Sequence, residues 1–234
     1  MKNTTPILSL IILLVSFSCS FGKRSNDEET PRLIFSEDFS KGLDPEVWVV
    51  EMDSTPNSSV YVEDGQLITD TEGGVTVWLN QELEGNYIIE YQRTVMVEEG
   101  ANDRLSDLNQ FWMASDPKQE NLFTRSGKFE EYDDISQYYV GVGGNYNSTT
   151  RFRKYDGEGE RIIIEEKNEP DFLLKPNKTY LVKIEVDNGH ISYWMDDVLF
   201  FEYEDPQPLS SGYFGFRSTW SRHHIDYINI YALD

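Results

Sequence analysis

The sequence is poor in cysteine, histidine and positive charge. Its 234 residues include one cysteine, Cys19, and three histidines. A single cysteine cannot form a disulfide within the chain, so the folded part must be held together by core burial. There are 20 Lys and Arg against 42 Asp and Glu, which gives a formal net charge of −22. This excess of negative charge argues against nucleic acid and against an anionic bilayer surface as partners.

Residues 1–18 have the composition of a secretory signal peptide. Lys2 gives the segment a positively charged N-terminal region, and the apolar run 7–15 is too short to span a bilayer. Cys19 then stands where bacterial lipoproteins carry their lipid-modified cysteine. The alternative is plain secretion with an incidental cysteine. We predict lipid attachment at Cys19 and a location in the cell envelope, at the outer membrane or the cell surface, with no membrane contact except through the lipid.

The next segment, 19–31, is polar, charged and ends in proline, as is typical of a flexible tether. Removing residues 1–18 takes away one positive charge and brings the net charge to −23. Residues 32–234 then remain, which is enough for one β-sandwich and short for two domains. We therefore predict a single domain over 32–234.

That domain has a period-two pattern of apolar residues almost throughout and no helical stripe, which predicts β-strands. Turn signals separate the runs, and Asp187-Asn188-Gly189 and Asp196-Asp197 are expected to join three consecutive strands as hairpins. Many short antiparallel strands in one domain predict an all-β fold, a two-sheet antiparallel jelly-roll sandwich. The β-rich runs are 60–62, 74–79, 87–92, 162–164, 180–186, 191–195, 199–203, 212–217 and 225–231.

Several motifs resemble the concanavalin A-like lectin/glucanase superfamily over nearly all of residues 33 to 233. They are Ser36-Glu37-Asp38-Phe39 with Trp48, the hairpin 189–194 with 198–200, the strand Gly212-Tyr213-Phe214-Gly215-Phe216-Arg217, and the closing strand 225–231. The central block 102–117 resembles an uncharacterised family of bacterial lipoproteins associated with polysaccharide degradation. The resemblance implies a sandwich fold and a polysaccharide substrate. The Glu-x-Asp-x-x-Glu strand of the superfamily's retaining glucanases is missing, which argues against hydrolysis by that motif.

The central block and the runs 138–145 and 151–155 mix strand-forming residues with Arg, Asp, Asn and Tyr, as in the floor of a binding site built on a sheet. Alternate side chains of a strand project to opposite faces. The predicted polar faces are Asp107, Asn109 and Phe111; Tyr139, Gly141, Gly143 and Asn145; Arg151, Arg153 and Tyr155; and Tyr213, Gly215, Arg217 and Thr219. The predicted core faces carry Gln110, Trp112 and Ala114; Tyr138, Val140 and Val142; and Phe214 and Phe216.

Arginine in so acidic a chain points to a local positive site for an anionic glycan such as a uronic acid polymer. The arginines in question are Arg104, Arg125, Arg151, Arg153 and Arg217; ordinary salt bridging is the alternative for each. Aromatic rings stack on sugar faces, so Trp112, Tyr139, Tyr155 and Trp220 are candidate sugar subsites. For Trp112, as for Trp48, Trp78 and Trp194, a core position is the favoured alternative.

Uronate chains can be cleaved by β-elimination, which needs a group that neutralises the carboxylate, a base and an acid. The catalytic candidates are Tyr139, Tyr155 and His223, and His223 and His224 are expected on a loop after the Gly-Phe-Arg strand. The substrate-binding candidates are Arg104, Asp107, Asn109, Asn145, Arg151, Arg153, Arg217 and Trp220.

Two other functions stay open. One is a non-catalytic glycan-binding lipoprotein of a polysaccharide-utilisation system. The other is a glycoside hydrolase, for which Glu130, Glu131, Asp133 and Asp134 are present at a spacing that defines no acid and base pair. No cofactor is required by either. The resemblance leaves room for a structural calcium ion, for which Asp103, Asp107, Asp133 and Asp134 are the candidate ligands.

Overall fold

The structure of the protein is a computed structural model that describes residues 31–233. The predicted signal peptide, Cys19 and the tether up to residue 30 lie outside the described residues. The strands are β1 Arg32–Glu37, β2 Trp48–Met52, β3 Ser59–Glu63, β4 Gln66–Leu79, β5 Leu83–Glu84, β6 Asn86–Met96, β7 Leu108–Ser115, β8 Ser136–Gly143, β9 Thr149–Asp156, β10 Arg161–Lys167, β11 Thr179–Asp187, β12 His190–Met195, β13 Val198–Glu204 and β14 Ser211–Leu233. Within residues 31–233, helical structure is limited to the 3₁₀ turns Phe129–Tyr132 and Pro170–Phe172 and the one-turn segment α1 Gly144–Asn147, whose backbone is left-handed at residues 145–147.

The strands form two antiparallel layers that the long strand β14 connects. Its first half pairs with β7 and its second half with β6 and β1, while β4 runs beside much of it. The front sheet follows the order β10-β9-β8-β7-β14, and the back sheet follows β14-β6-β11-β12-β13. Phe152 of β9 meets Phe201 of β13 across the layers, with ring centroids 5.8 Å apart. The predicted all-β antiparallel sandwich is confirmed.

Both predicted hairpins are confirmed. Asp187 pairs with His190 and Met195 pairs with Val198, so each loop has two residues. The loop residues all have positive φ: Asn188 at 50°, Gly189 at 88°, Asp196 at 49° and Asp197 at 63°. This is the backbone geometry that twists in the same sense as the flanking strands.

Strand parity places the core between the layers as predicted. Tyr138, Val140 and Val142 of β8 and Trp112 of β7 belong to the large apolar cluster between the sheets. One prediction is wrong: Ala114 lies on the opposite face, in a second cluster with Phe111. The cause is Met113, whose φ of 50° interrupts the pairing of β7 with β8 and shifts the alternation by one residue.

The second cluster covers part of the outer face of the front sheet. The segment 116–135 between β7 and β8 folds over this face and buries Leu122, Tyr132 and Ile135 against Trp78 and Phe111 of the sheet. Because this cover spans only part of the outer face, the remainder stays open beside it.

A buried carboxylate holds this cover in place. Glu51 of β2 is 5% exposed and accepts hydrogen bonds from Trp78 Nε1 at 2.8 Å, Tyr132 Oη at 2.8 Å and the Arg125 amide at 2.6 Å. Arg125 itself donates to Asp116 at 2.5 Å and to two carbonyls of the segment. Arg125 is therefore a structural residue of the cover.

The expected loop after the Gly-Phe-Arg strand does not exist. β14 continues without interruption through His223 and His224 to Leu233. Both edges of β14 are paired there, with β4 on one side and β6 on the other. The polar segment around His223 and His224 is therefore part of the sheet. Within residues 31–233 no helix combines the length and the apolar character needed to cross a membrane.

Candidate active-site cleft

A cleft opens on the outer face of the front sheet beside segment 116–135. It consists of two adjoining cavities of about 370 and 260 Å³, which share Asp107, Phe129, Tyr139 and Thr219. The first is also lined by Asp53, Gly73, Gly74, Asn109, Lys128, Glu130 and Arg217, and the second by Arg104, Gly141, Gly144, Asn145, Tyr146, Thr149, Arg151 and Arg153. We call these two cavities together the cleft.

The floor of the cleft depends on which residues of neighbouring strands are paired, as well as on the sequence of each strand. Asn109 pairs with Arg217 on one neighbouring strand and with Gly141 on the other. Tyr139 pairs with Arg153 in the same way. Because paired residues of neighbouring strands project to the same face, side chains from four strands form two adjacent rows here. Eight predicted site residues therefore line the cleft: Arg104, Asp107, Asn109, Tyr139, Asn145, Arg151, Arg153 and Arg217.

The cleft is more cationic than the protein as a whole. Five cationic side chains line it, against three acidic ones, although the chain carries a net charge of −22. The cations are Arg104, Lys128, Arg151, Arg153 and Arg217, and the acids are Asp53, Asp107 and Glu130. Two of the arginines have acidic partners, since Arg104 pairs with Asp107 and Arg151 pairs with Glu166.

Arg153 and Arg217 have no such partner. No ion pair joins either of them to a carboxylate anywhere in residues 31–233. Arg153 packs its guanidinium over the Tyr139 ring at 5.5 Å, and its Nε is buried without a hydrogen bond in this part of the chain. Arg153 as a whole is partly exposed. A cation that is partly withdrawn from water without an ionic partner is unfavourable, and an anion in the cleft would offset that cost.

Arg217 is the more deeply placed of the two. It is 1% exposed, and its burial lowers the pKa of the guanidinium. Nη1 donates to the Gly127 carbonyl at 2.5 Å, and the guanidinium faces the rings of Phe129 and Tyr132 at 5.4 and 5.2 Å. Gly74 makes room for it, because a side chain there would collide with the guanidinium. The pair Gly73-Gly74 has the composition of a turn, but both residues lie inside β4.

Tyr139 lies at the junction of the two cavities. Its hydroxyl sits over Gly141, where any side chain would collide with it and with Asn109 Oδ1. That Oδ1 is buried and accepts no hydrogen bond within residues 31–233. Burial raises the pKa of Tyr139, the nearby Tyr155 and Asp107 add to the rise, and Arg153 and Arg217 oppose it. The hydroxyl is therefore protonated near neutral pH and is available to donate.

At the rim of the cleft, Trp220 lies beside Arg104, with the guanidinium 5.3 Å from the indole ring. Tyr146 packs on the same guanidinium at 5.0 Å. Tyr146 is absent from the sequence-based candidates. Its signal in the sequence is an aromatic residue between Asn145 and Asn147, since asparagine tolerates the left-handed backbone found at all three positions.

Tyr155 and His223 are not among the residues that line the cleft. Tyr155 is fully buried in the aromatic cluster, with its ring 6.0 Å from that of Tyr139. His223 is also fully buried, between Arg93 and Ser221. Neither is positioned to transfer a proton to a ligand in the cleft. Trp112 and Trp48 lie in the core between the sheets. Trp78 is buried in the second cluster, on the outer face of the front sheet.

The carboxylates named for a hydrolase serve mainly to fix segment 116–135. Glu131 accepts from Ser126, Asp133 pairs with Arg161 at 2.5 Å, and Asp134 pairs with Lys118 at 3.0 Å. Glu130 is the member of this set that lines the cleft. Within residues 31–233, no group of three or more His, Cys, Asp or Glu side chains is arranged to hold a metal ion.

Solved structures with the same fold include proteins that act on or bind glycans. A protein of unknown function with a galectin-like fold from Bacillus subtilis is 16% identical, with a TM-score of 0.69 over 86% of this chain and 96% of that one. Laminarinase from Flavobacterium sp. UMI-01 is 14% identical (TM-score 0.59, 86% and 100%). The carbohydrate binding module CBM66 from Bacillus subtilis is 15% identical (TM-score 0.55, 80% and 96%). At these identities the likeness establishes the fold, in agreement with the concanavalin A-like resemblance.

Residues 69–228 match the model of a family described as Domain of unknown function (DUF6250). This range contains every residue that lines the cleft except Asp53. No curated protein matches the chain in sequence.

Proposed function

The chain belongs to the DUF6250 family, and we propose that it binds an acidic, uronate-containing polysaccharide in the cleft and cleaves it by β-elimination. The observation that carries this proposal is the pair of uncompensated guanidinium groups beside Tyr139. Arg153 and Arg217 face the cleft without carboxylate partners in residues 31–233, in a chain of net charge −22. A uronate carboxylate would supply the missing negative charge and accept directed hydrogen bonds.

The groups around Tyr139 match the needs of β-elimination. Arg153, Arg217 and Asn109 would bind the carboxylate and stabilise the negative charge that develops on it when the C5 proton leaves. Tyr139, as phenolate, would take the C5 proton. The C4–O4 bond then breaks as the C4=C5 double bond forms, and the proton passes from Tyr139 to the leaving O4. This sequence regenerates the phenolate and needs no co-reactant.

Non-catalytic glycan binding is the second candidate. Its support is the raised pKa of Tyr139, which keeps the hydroxyl protonated and suits it to hydrogen bonding without proton transfer. The fold is shared with a carbohydrate binding module. A glycoside hydrolase is a weaker third candidate: its support is the fold shared with a laminarinase and the presence of Asp53, Asp107 and Glu130 in the lining of the cleft. Asp107 is already paired with Arg104.

We also propose that the protein lies in the cell envelope, anchored through a lipid on Cys19, at the outer membrane or the cell surface. The support is the composition of residues 1–18, which is that of a signal peptide. Metabolic labelling with a radioactive fatty acid tests this placement. Label on the wild-type protein and none on the Cys19→Ser variant is the expected result.

The test of the function is ultraviolet absorbance of residues 32–234 incubated with a panel of uronate-containing polysaccharides, with and without calcium. A rising signal from an unsaturated uronate product is expected with at least one of them. A flat trace together with retarded migration in a gel containing one of these glycans would favour the binding protein. Reducing ends released without absorbance would favour the hydrolase.

A further inference from the structure

Two exposed aromatic rings form a corner at the rim of the cleft. Tyr146 is 68% exposed and Trp220 is 45% exposed. Their ring centroids are 6.3 Å apart at an interplanar angle of 76°, so the two faces meet almost at a right angle. Large aromatic side chains left in water next to a binding cavity are candidates for ligand contact, since burying them on a ligand is favourable.

Both rings are held by backbone that their residue types seldom adopt. Tyr146 has φ of 58° between Asn145 and Asn147, and Trp220 has φ of 43° where the pairing of β14 with β4 shifts register. The Asn147 side chain fixes the first segment by bonding to the amide and carbonyl of Leu174 at 2.8 and 2.9 Å. Backbone of this kind persists only where the surrounding structure holds it, which is typical of functional sites.

Arg104 braces the corner from within. Its guanidinium lies 5.0 Å from the Tyr146 ring and 5.3 Å from the Trp220 ring. Its Nε donates to the Trp220 carbonyl at 2.8 Å and its Nη2 to the Thr219 carbonyl at 2.7 Å. The charge of Arg104 is balanced by Asp107. The corner therefore offers apolar ring faces and little net positive charge, unlike the part of the cleft around Arg153.

We propose that Tyr146 and Trp220, braced by Arg104, form a distal sugar subsite that stacks on a pyranose ring of the glycan chain beyond the residue bound at Tyr139. This inference rests on the proposed function and deepens it. The subsite would contact the apolar face of the sugar ring and not its carboxylate. It would accept a pyranose with or without a negative charge. The protein would then prefer internal stretches of a chain to short ends.

The test is the affinity of oligouronides from disaccharide to octasaccharide, measured by calorimetry on the wild type and on Trp220→Ala. For the wild type we expect affinity to rise once the chain is long enough to reach the corner. Trp220→Ala should remove that rise, on the order of tenfold for the longest chains, and leave the shortest binding chain unchanged. Trp220→Phe should keep most of it, and Tyr146→Ala should lose part of it.

The matched control is Trp194→Ala, which removes a partly buried tryptophan from β12 of the back sheet and should leave every affinity unchanged. Equal affinities of the wild type and Trp220→Ala at every length would overturn the proposal. So would an equal loss at every length, which would place Trp220 next to the central sugar, and so would the absence of binding by any oligomer.

The test also separates this proposal from the proposed function. A rise with length that Trp220→Ala removes, without any unsaturated product, would uphold the distal subsite and reject β-elimination. Formation of unsaturated product together with affinities that do not depend on Trp220 would uphold β-elimination and reject the distal subsite.

Discussion

Arg93 donates a hydrogen bond from Nε to Nδ1 of His223 at 3.0 Å, and both residues are buried between the sheets. Because Nδ1 accepts, the histidine carries its proton on Nε2, which donates to Ser221 Oγ at 2.8 Å. Burial and then the Arg93 charge hold the pKa of His223 well below its usual range. His223 is therefore neutral in the folded protein.

The same arginine supports the cleft from below. Its Nη1 donates to the carbonyl of Asn109 at 2.8 Å and its Nη2 to the carbonyl of Arg217 at 3.0 Å. Both acceptors are backbone groups of residues that line the cleft. Arg93 thus fixes the two strands β7 and β14 relative to each other beneath the site. His223 belongs to this support and not to the cleft itself.

We expect stability to fall as the pH drops below about 6.5, the ordinary pKa of histidine. Below that pH, His223 is protonated in the unfolded chain but stays neutral in the folded protein. The free energy of unfolding therefore falls by about 1.4 kcal/mol per pH unit for this one proton. Burial also lowers the pKa of His224, which adds to the same window. Urea unfolding between pH 7.5 and 5 measures this slope.

The His223→Gln variant is the control, because an amide can accept from Arg93 and donate to Ser221 but does not titrate. Its slope between pH 6.5 and 5 should be smaller than that of the wild type. Carboxylates with lowered pKa, such as Asp103, Asp116 and Asp205, act in a separate window below about pH 4. An unchanged slope in His223→Gln would mean that His223 does take up a proton in the folded state.

A second prediction concerns Glu51, whose carboxylate receives three donors. Glu51→Gln places an amide NH₂ against one or more of these donors. We expect a loss of about 2 kcal/mol in the free energy of unfolding. We also expect faster amide hydrogen exchange in segment 116–135 than in β11 and β12. If exchange were faster throughout the chain instead, Glu51 would support the whole fold and not this segment in particular.

Much of the cleft was predictable from strand alternation. Asn109, Tyr139, Arg153 and Arg217 fall on one face because their strands alternate regularly over the stretch that forms the floor, and the hydrogen-bond register brings the strands together. The hairpins at 187–189 and 196–197 were predictable for a similar reason, since asparagine, aspartate and glycine accept the backbone that a two-residue turn requires.

Other parts depend on contacts that are distant in sequence. The polar stretch around His223 has the composition of a loop, but Arg93, 130 residues away, provides the hydrogen bond that allows its burial. The cover formed by segment 116–135 depends on Glu51, which is 74 residues from Arg125. The shift at Met113 is a local backbone event, for which its position in an apolar strand gives no signal.

A third prediction separates the two neighbouring arginines of β9. Arg153→Gln removes the charge that lies over the Tyr139 ring and leaves a neutral polar side chain in its place. We expect it to weaken the binding of a uronate oligosaccharide by about 1.5–3 kcal/mol, roughly ten- to a hundredfold. Arg151→Gln should cost less than about 1 kcal/mol, because Arg151 is paired with Glu166 and both are partly exposed to solvent.

Calorimetry against the native glycan and its carboxyl-reduced form measures this difference. The effect of Arg153→Gln should be largely lost with the reduced, uncharged glycan. Equal losses in the two variants, or the same loss with the uncharged glycan, would show that Arg153 does not bind the carboxylate.

The fourth prediction concerns Tyr139 itself. Tyr139→Phe removes one hydroxyl group, keeps the ring under Arg153, and should lower turnover by about 10²- to 10⁴-fold while glycan affinity changes by only a few-fold.

Because burial raises the pKa of the Tyr139 hydroxyl, only a small phenolate fraction exists at neutral pH, and kcat should rise about tenfold per pH unit into the alkaline range. A base with the pKa of an ordinary histidine would level off near pH 7 instead. Initial rates measured from pH 6 to 9, with circular dichroism to show that the fold persists, distinguish the two. A plateau near pH 7, or full turnover in Tyr139→Phe, would assign the proton transfer to another group.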